Sequence, residues 1–281
     1  MNTRALSIAH LTALPVAPPE LVQIAADTGC AACGVRLLPA TPGGTHYPLM
    51  HDAAMRRETL ARLQATGVVV FDIEIVRIGE HFDAAAYEAF FAAGQALGAR
   101  AVLVAGDDAN EARLIDRYAA LCDVAAPYGL SCDLEFMPWT AVKDVATAAR
   151  VVHAAGRANA GVLVDAIHFA RSGSTLAQLR ELPRTRLHYA QVCDAAVPAP
   201  PSMQALIHDA RCARLLPGEG GIDLQSLFGP AGALPGDLPL SIEIPHDERA
   251  PAMGYPAWVA AAVAATRRML DRRERAPNSL P

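Results

Sequence analysis

The sequence lacks several features that would assign it to a common functional class. None of its apolar runs approaches the roughly 20 residues that a membrane-spanning helix needs. Its formal net charge is −5, so no excess of basic residues indicates a nucleic-acid or membrane partner. The N-terminal stretch MNTRALSIAHLTAL has no clear small-residue cleavage site and is more typical of a first strand than of a signal peptide. We therefore expect a cytoplasmic protein.

The cysteines do not form a recognisable zinc or disulfide framework. Cys30 and Cys33 are spaced as C-x-x-C, but no second such pair or histidine pair completes a zinc site. Cys33 also opens a predicted strand, which disfavours the alternative of a redox pair. In a large chain of cytosolic type we expect the six cysteines to be reduced; they are Cys30, Cys33, Cys122, Cys132, Cys193 and Cys212.

Short β-rich runs recur along the whole chain, and helical patterns lie between them. Strands are predicted at 5–10, 33–38, 67–76, 100–106, 130–136, 161–167, 187–194 and 239–244. Helices are predicted at 18–29, 52–67, 84–98, 110–129, 140–156, 175–182 and 256–275. Several strands are almost continuously apolar, as in a buried parallel sheet.

Eight strand–helix units predict a single α/β domain, a (β/α)₈ TIM barrel over residues 1–275 with a frayed tail at 276–281. A doubly wound open sheet is the alternative, but no G-x-G-x-x-G follows the first strand.

Polar residues stand near the carboxyl ends of four consecutive strands, where TIM barrels carry their chemistry. They are Glu135 in strand 5, Asp165 in strand 6, Gln191 in strand 7 and Glu243 in strand 8. Three carboxylates in one barrel mouth would repel each other and raise each other's pKa, unless a cation binds between them. Oxygen ligands of this kind suit one divalent cation, Mn²⁺ or Mg²⁺. The alternative is a network of salt bridges to arginines of the barrel.

Other polar side chains follow the same strand ends and are predicted to contact a small-molecule substrate. His168 lies three residues after Asp165, where it could act as a catalytic acid or base. Arginines at these ends could hold an anionic or hydroxylated group by paired hydrogen bonds. The predicted substrate ligands are His10, Arg36, Glu74, Arg77 and Arg211, with Arg214 as an alternative to Arg211. The loop PGEGGIDL at 217–224 lacks the Lys and Ser/Thr of a phosphate-binding loop.

The stretches LEFMPW, VLVDAIHFARSG, QVCDA and PGEGGID, in this order, resemble the xylose isomerase-like TIM-barrel superfamily. The resemblance is strongest from about residue 130 to 245. It implies a divalent metal held by Glu135, Asp165, Gln191 and Glu243. In the ketose epimerases of that superfamily two glutamates also move a proton beside the carbonyl, and by position these are Glu135 and Glu243. The chain departs from those epimerases at Gln191, where they usually have His.

Gln191 is instead similar to the metal ligand of bacterial 3-dehydroshikimate dehydratases. His168 matches the catalytic-type histidine of that group, and ARCARLLPGEGGID resembles its arginine-containing loop, which makes Arg211 a candidate for a substrate carboxylate. The N-terminal half fits less well, because Arg36 stands where members often have Glu.

We therefore predict a metal-dependent, sugar isomerase- or epimerase-like enzyme that abstracts a proton next to a metal-bound carbonyl of a small hydroxylated ketone. The alternative is a 3-dehydroshikimate dehydratase-type lyase that gives protocatechuate. A DNA-repair endonuclease of the same fold is disfavoured by the acidic charge and by Gln191. A barrel that has lost catalysis is disfavoured by the complete set of ligands. Dimers and tetramers are common in the superfamily, which leaves a homo-oligomer open.

Overall fold

Eight parallel strands close into a barrel in the computed structural model, which describes residues 4–271. Each strand pairs with the next along the chain, and the last pairs with the first. The strands are β1 Leu6–Ile8, β2 Ala32–Arg36, β3 Val69–Ile78, β4 Ala101–Gly106, β5 Ser131–Glu135, β6 Ala160–Asp165, β7 Ala190–Val192 and β8 Leu240–Ile242. The predicted (β/α)₈ barrel is therefore confirmed. The predicted tail at 276–281 lies outside the described residues.

Helices surround the barrel, and their apolar faces pack on the outer faces of the strands. They are α1 Pro18–Asp27, α2 Ala53–Thr66, α3 Glu88–Ala96, α4 Glu111–Ala125, α5 Val145–Ala155, α6 Ala166–Arg171, α7 Leu176–Arg180, α8 Met203–Cys212, α9 Leu224–Phe228, α10 Arg249–Met253 and α11 Tyr255–Asp271. Short 3₁₀ helices span His10–Ala13, Ala84–Tyr87, Ala126–Tyr128 and Arg184–Arg186. Within residues 4–271, no helix is long and apolar enough to cross a bilayer.

Helix ends follow the local sequence at most positions. The Asp52 side chain accepts a hydrogen bond from the backbone N–H of Met55 at 2.9 Å, and Gly67 ends α2 with a φ of 75°. The helix predicted from residue 140 begins only at Val145, because Asp144 is the residue whose side chain caps it.

Helix α8, which lies between β7 and β8, was not predicted from the sequence. Its signals were present in Ser202, whose side chain accepts from the N–H of Ala205, and in the apolar pair Leu206 and Ala210, four residues apart.

A half-buried pair of His188 and Asp133 lies away from the carboxyl ends of the strands. His188 Nδ1 is 2.6 Å from Asp133 Oδ1, and Ser131 donates to the other carboxylate oxygen, also at 2.6 Å. Gly161 on β6 leaves the room that this pair occupies, because any Cβ there would overlap the Asp133 carboxylate. The absence of a side chain at Gly161 is therefore a packing requirement.

Gly161→Ala is expected to lower the free energy of unfolding by about 1–3 kcal/mol, the usual cost of overpacking a core. The added Cβ would lie 2.6 Å from His188 Nδ1 and even closer to Asp133 Oδ1. Urea denaturation of the variant measures the effect. Gly236→Ala is the matched control, since a Cβ at Gly236 meets no atom within 4 Å. Equal stability of the two variants would contradict the packing argument.

Candidate active site

A cavity of about 180 Å³ opens at the carboxyl ends of the barrel strands. Predicted site residues from both halves of the chain line it: Arg36, Glu74, Arg77, Glu135, His168, Arg211 and Glu243. Apolar side chains form much of the remaining wall, among them Leu11, Ile75, Leu103 and Met137. The strands therefore bring together residues that are far apart in sequence, as the barrel fold requires.

Two carboxylates and one imidazole form a buried cluster beside this cavity. Glu135 is the last residue of β5 and Asp165 is the last residue of β6. Asp165 also caps α6, because its Oδ1 accepts from the backbone N–H of Ile167 at 2.8 Å and of His168 at 3.3 Å. One ligand atom from each of Glu135, Asp165 and His168 lies within 4.8 Å of the others. This spacing is compatible with one metal ion bound between them.

Gln191 lies next to this cluster, with its side chain oriented by Glu243. The strand register places Gln191 opposite Asp165, and Gln191 Nε2 donates to Glu243 Oε1 at 3.0 Å. Gln191 Oε1 is buried and has no hydrogen-bond partner among residues 4–271. A buried acceptor without a partner is costly, and a cation would satisfy it. The amide is therefore oriented as a ligand of a cation would be, with its NH₂ already engaged.

Arg214 lies fully buried between two of the predicted ligands. Its NH1 donates to Asp165 Oδ2 at 2.6 Å and its NH2 to Glu243 Oε2 at 2.9 Å. Its Nε donates to the carbonyl of Ala210 at 2.6 Å. Arg214 thus forms the arginine network that was the alternative to a metal, and it is not free to hold a substrate anion. If Glu135, Asp165 and Glu243 are all ionised, these carboxylates and Arg214 together still carry two net negative charges, which one divalent cation would neutralise.

Glu135 and Glu243 differ in their environment. Burial, followed by the charges of Glu243 and Asp165, raises the pKa of Glu135 well above its usual range. Burial also raises the pKa of Glu243 to about 7, against the opposing effect of Arg214. Burial would raise the pKa of Asp165, but Arg214 and His168 outweigh it and the net shift is downward. Among these three carboxylates, Glu135 has no arginine partner in residues 4–271, since Arg214 contacts the other two.

His168 faces the cavity as a neutral imidazole. Burial lowers its pKa to about 4, so the ring carries no charge near neutral pH. Its Nε2 is 3.6 Å from Glu135 Oε1, and its ring meets the Trp139 indole edge-on at 5.0 Å between centroids. Glu135 Oε1 has no hydrogen-bond partner in the described part of the chain. Glu135 and His168 therefore form a pair of acid–base groups on one side of the cavity.

The predicted substrate-binding residues differ in whether an oppositely charged side chain already pairs with them. Arg36 and Glu74 form a buried ion pair at 2.7 Å, whereas Arg77 pairs with Asp107 at the half-exposed rim. Arg211 has no acidic partner among the residues that the structure describes, and its guanidinium lies 5.9 Å from the Trp139 ring centroid. Burial, together with the positive charges of Arg77 and Arg36, lowers the pKa of Arg211.

His10 does not line the cavity. It is fully buried, its Nδ1 accepts from the backbone N–H of Arg36 at 2.9 Å, and its Nε2 donates to the carbonyl of Val16 at 2.9 Å. Both ring nitrogens are therefore engaged by the backbone. His10 supports the end of β2 and we do not include it among the groups that contact substrate.

Trp139 and Asp194 had no role predicted from the sequence. Trp139, four residues after Glu135, contacts both His168 and Arg211. Asp194 holds the loop PGEGGID in place, because its carboxylate accepts hydrogen bonds from the backbone N–H groups of Gly218 at 2.9 Å and Gly220 at 3.0 Å. In the sequence, an acidic residue just after β7 and a glycine-rich loop were the signals from which the contact between Asp194 and this loop could have been predicted.

Comparison with known proteins gives one family match. The family model described as xylose isomerase-like TIM barrel matches residues 22–270. Among solved structures, one described as IOLI protein with a binding zinc atom superposes with a TM-score of 0.76 at 18% identity, over 95% of this chain and 98% of that one. At this identity the superposition shows the fold alone.

Two curated relatives align with parts of the chain. A 3-dehydroshikimate dehydratase from Pseudomonas aeruginosa is 29% identical over 177 residues, which cover 61% of this chain and 27% of the relative. An inosose isomerase from Bacillus velezensis is 31% identical over 109 residues, which cover 38% of this chain and 36% of the relative. The chain therefore spans well under half the length of either relative.

Proposed function

The chain belongs to the xylose isomerase-like TIM-barrel family, and we propose that it is a divalent-metal-dependent enzyme that removes a proton beside the ketone of a small hydroxylated substrate. One observation carries the proposal. Two buried acceptor atoms, Glu135 Oε1 and Gln191 Oε1, have no hydrogen-bond partner in residues 4–271 and belong to a group of residues at one barrel mouth. Buried acceptors of this kind fit a cation better than they fit an empty core.

The residues fit a hard cation such as Mn²⁺ or Mg²⁺. Glu135, Asp165, Gln191 and Glu243 would hold it with oxygen atoms, which these ions prefer. His168 Nε2 is the one nitrogen donor close to the same group. The zinc atom described for IOLI protein, which has the same fold, is in keeping with a bound metal, but it indicates neither the identity of the metal nor its position. When bound, the cation would polarise the ketone and make the neighbouring C–H more acidic.

The proton itself would be moved by Glu135 and His168. Glu243 is held at both carboxylate oxygens by Gln191 and Arg214, whereas no arginine in residues 4–271 pairs with Glu135. General acid–base catalysis by one positioned group contributes about 10²–10⁴-fold. Because the free groups lie on one side of the cavity, the geometry favours one-sided proton transfer. It supports isomerisation more than epimerisation, which needs groups on both faces of the substrate.

A lyase of the 3-dehydroshikimate dehydratase type is the second candidate function, and Arg211 favours it. An arginine at the cavity without an acidic partner suits a substrate carboxylate, which a neutral sugar lacks. The dehydratase relative points in the same direction over 61% of this chain. In that reaction one of Glu135 and His168 takes the proton, and the other donates a proton to the departing hydroxide.

Both candidate functions predict exchange of the substrate proton with solvent. The protein with Mn²⁺ is incubated in deuterated water with an inosose or with 3-dehydroshikimate, and NMR follows the carbon beside the ketone. We expect deuterium incorporation with one of the two, and loss of it after chelation. An ultraviolet assay in the same samples shows whether an aromatic product forms, which distinguishes the lyase. Bound Mn²⁺ with neither proton exchange nor an aromatic product from either substrate would contradict the proposed function.

A further inference from the structure

A second polar pair lines the same cavity on β2 and β3, across the barrel from β6 and β7. Arg36 and Glu74 are neighbours in the strand register, and their side chains are almost completely buried. The backbone holds both in place. The N–H of Arg36 donates to His10 Nδ1 at 2.9 Å, and the Glu74 carbonyl accepts from the N–H of Leu37 at 2.9 Å. The pair is therefore positioned before any ligand arrives.

The ion pair leaves much of its hydrogen-bonding capacity unused. A single bond, Arg36 NH2 to Glu74 Oε2 at 2.7 Å, joins the two side chains. Arg36 Nε and Glu74 Oε1 are buried and have no partner in the described structure. A pair that served stability alone would gain from a two-bond contact between guanidinium and carboxylate. The unpartnered donor and the unpartnered acceptor therefore belong to two residues that line the cavity.

The charge of this pair suits a neutral ligand group. Burial would lower the pKa of Arg36, but Glu74, with Glu243 and Glu135, raises it, so the guanidinium stays charged and is balanced by Glu74. An anionic group placed here would meet the Glu74 carboxylate and a guanidinium whose charge Glu74 already balances. A hydroxyl group can accept from a guanidinium and donate to a carboxylate, so it is the kind of ligand group that matches this donor and this acceptor. Arg211 is the contrasting group, because no acidic side chain in residues 4–271 pairs with it.

We infer that Arg36 and Glu74 form a subsite for substrate hydroxyl groups, such as a vicinal diol on a ring. The inference rests on the proposed function only for the position of the reacting ketone. A site built around buried polar groups discriminates strongly against ligands that leave those groups unpaired. Arg36 and Glu74 therefore select hydroxylated rings over unsubstituted ones.

Two ring carboxylates without a ketone test this subsite by binding alone. Quinate and cyclohexanecarboxylate share the ring and the carboxylate, and differ in the hydroxyl groups. We expect calorimetry of the protein with Mn²⁺ to give a dissociation constant at least tenfold lower for quinate. Glu74→Gln keeps the shape but leaves Arg36 without its counter-charge. In that variant the quinate preference should fall below threefold, and cyclohexanecarboxylate should bind at least threefold more tightly.

Two further variants keep the outcome clear. Arg36→Gln added to Glu74→Gln removes the unbalanced charge and should return cyclohexanecarboxylate affinity to its original value. Glu111→Gln is the matched control, because Glu111 pairs with Arg150 on the exposed surface, and it should change neither affinity. Equal affinity of the original protein for both rings, no binding of quinate, or an unchanged preference in Glu74→Gln would overturn the subsite. Failure of proton exchange alone would remove the proposed reaction and leave the subsite intact.

Discussion

Glu135→Gln is expected to lower kcat/KM by about 10²–10⁴-fold or more, the range for loss of a positioned base. The substitution would remove both a base and a negatively charged metal ligand. The fold should persist, because Glu135 Oε1 has no hydrogen-bond partner to leave unpaired among the described residues. Burial already raises the pKa of this carboxyl group, so a neutral amide suits its surroundings. Steady-state kinetics and calorimetric Mn²⁺ affinity measure the two losses separately.

Asp72→Asn is the matched control for this variant. Asp72 is also a fully buried carboxyl group inside the barrel, and burial raises its pKa well above the usual range. It does not line the cavity. The control should keep kcat/KM within about threefold, because Asp72 contributes no side chain to the lining of the cavity. If Glu135→Gln kept activity and Mn²⁺ affinity at the level of Asp72→Asn, the assignment of Glu135 would be wrong.

Arg214→Met is expected to lower the free energy of unfolding by about 3–5 kcal/mol, the cost of breaking a buried ion pair on one side. The substitution leaves the carboxylates of Asp165 and Glu243 buried without their counter-charge. Urea denaturation in the presence of a chelator measures the loss. Added Mn²⁺ should restore part of the stability, because the cation would supply positive charge to the same two carboxylates.

Arg150→Met is the control for loss of an arginine as such. Arg150 pairs with Glu111 on the surface, where both side chains are largely exposed, and an exposed pair contributes about 0–1 kcal/mol. If Arg214→Met were no less stable than Arg150→Met, Arg214 would not hold the ligand carboxylates as the structure indicates. A loss of stability that Mn²⁺ left unchanged would place the cation elsewhere.

The barrel and the position of its site were predictable from local patterns. Eight apolar runs of strand length alternate with helical patterns, and buried parallel strands have this composition. Because all parallel strands of a barrel end at the same face, Glu135, Asp165 and Gln191 had to approach each other once the strands were identified. Helix α8 was missed because the proline-rich stretch before it, VPAPPS, favours a loop.

The pairing of the arginines was not predictable from the sequence. Nothing in the local sequence distinguishes the roles of the four arginines Arg36, Arg77, Arg211 and Arg214, which lie within or just after strands and helices. Their roles depend on which carboxylate the fold brings to each. Arg214 pairs with the buried carboxylates of Asp165 and Glu243, whereas Arg211 contacts the Trp139 ring and has no acidic partner in residues 4–271. The role of His10 was not predictable either, because its hydrogen bonds to the backbones of Val16 and Arg36 appear only in three dimensions.

Binding of a divalent cation at the barrel mouth is tested most directly by anomalous X-ray scattering from crystals grown with Mn²⁺. We expect one manganese peak coordinated by oxygen atoms of Glu135, Asp165, Gln191 and Glu243, with Arg214 still bonded to Asp165 and Glu243. A fully ordered site without a manganese peak, or a peak that none of these four side chains coordinates, would contradict it.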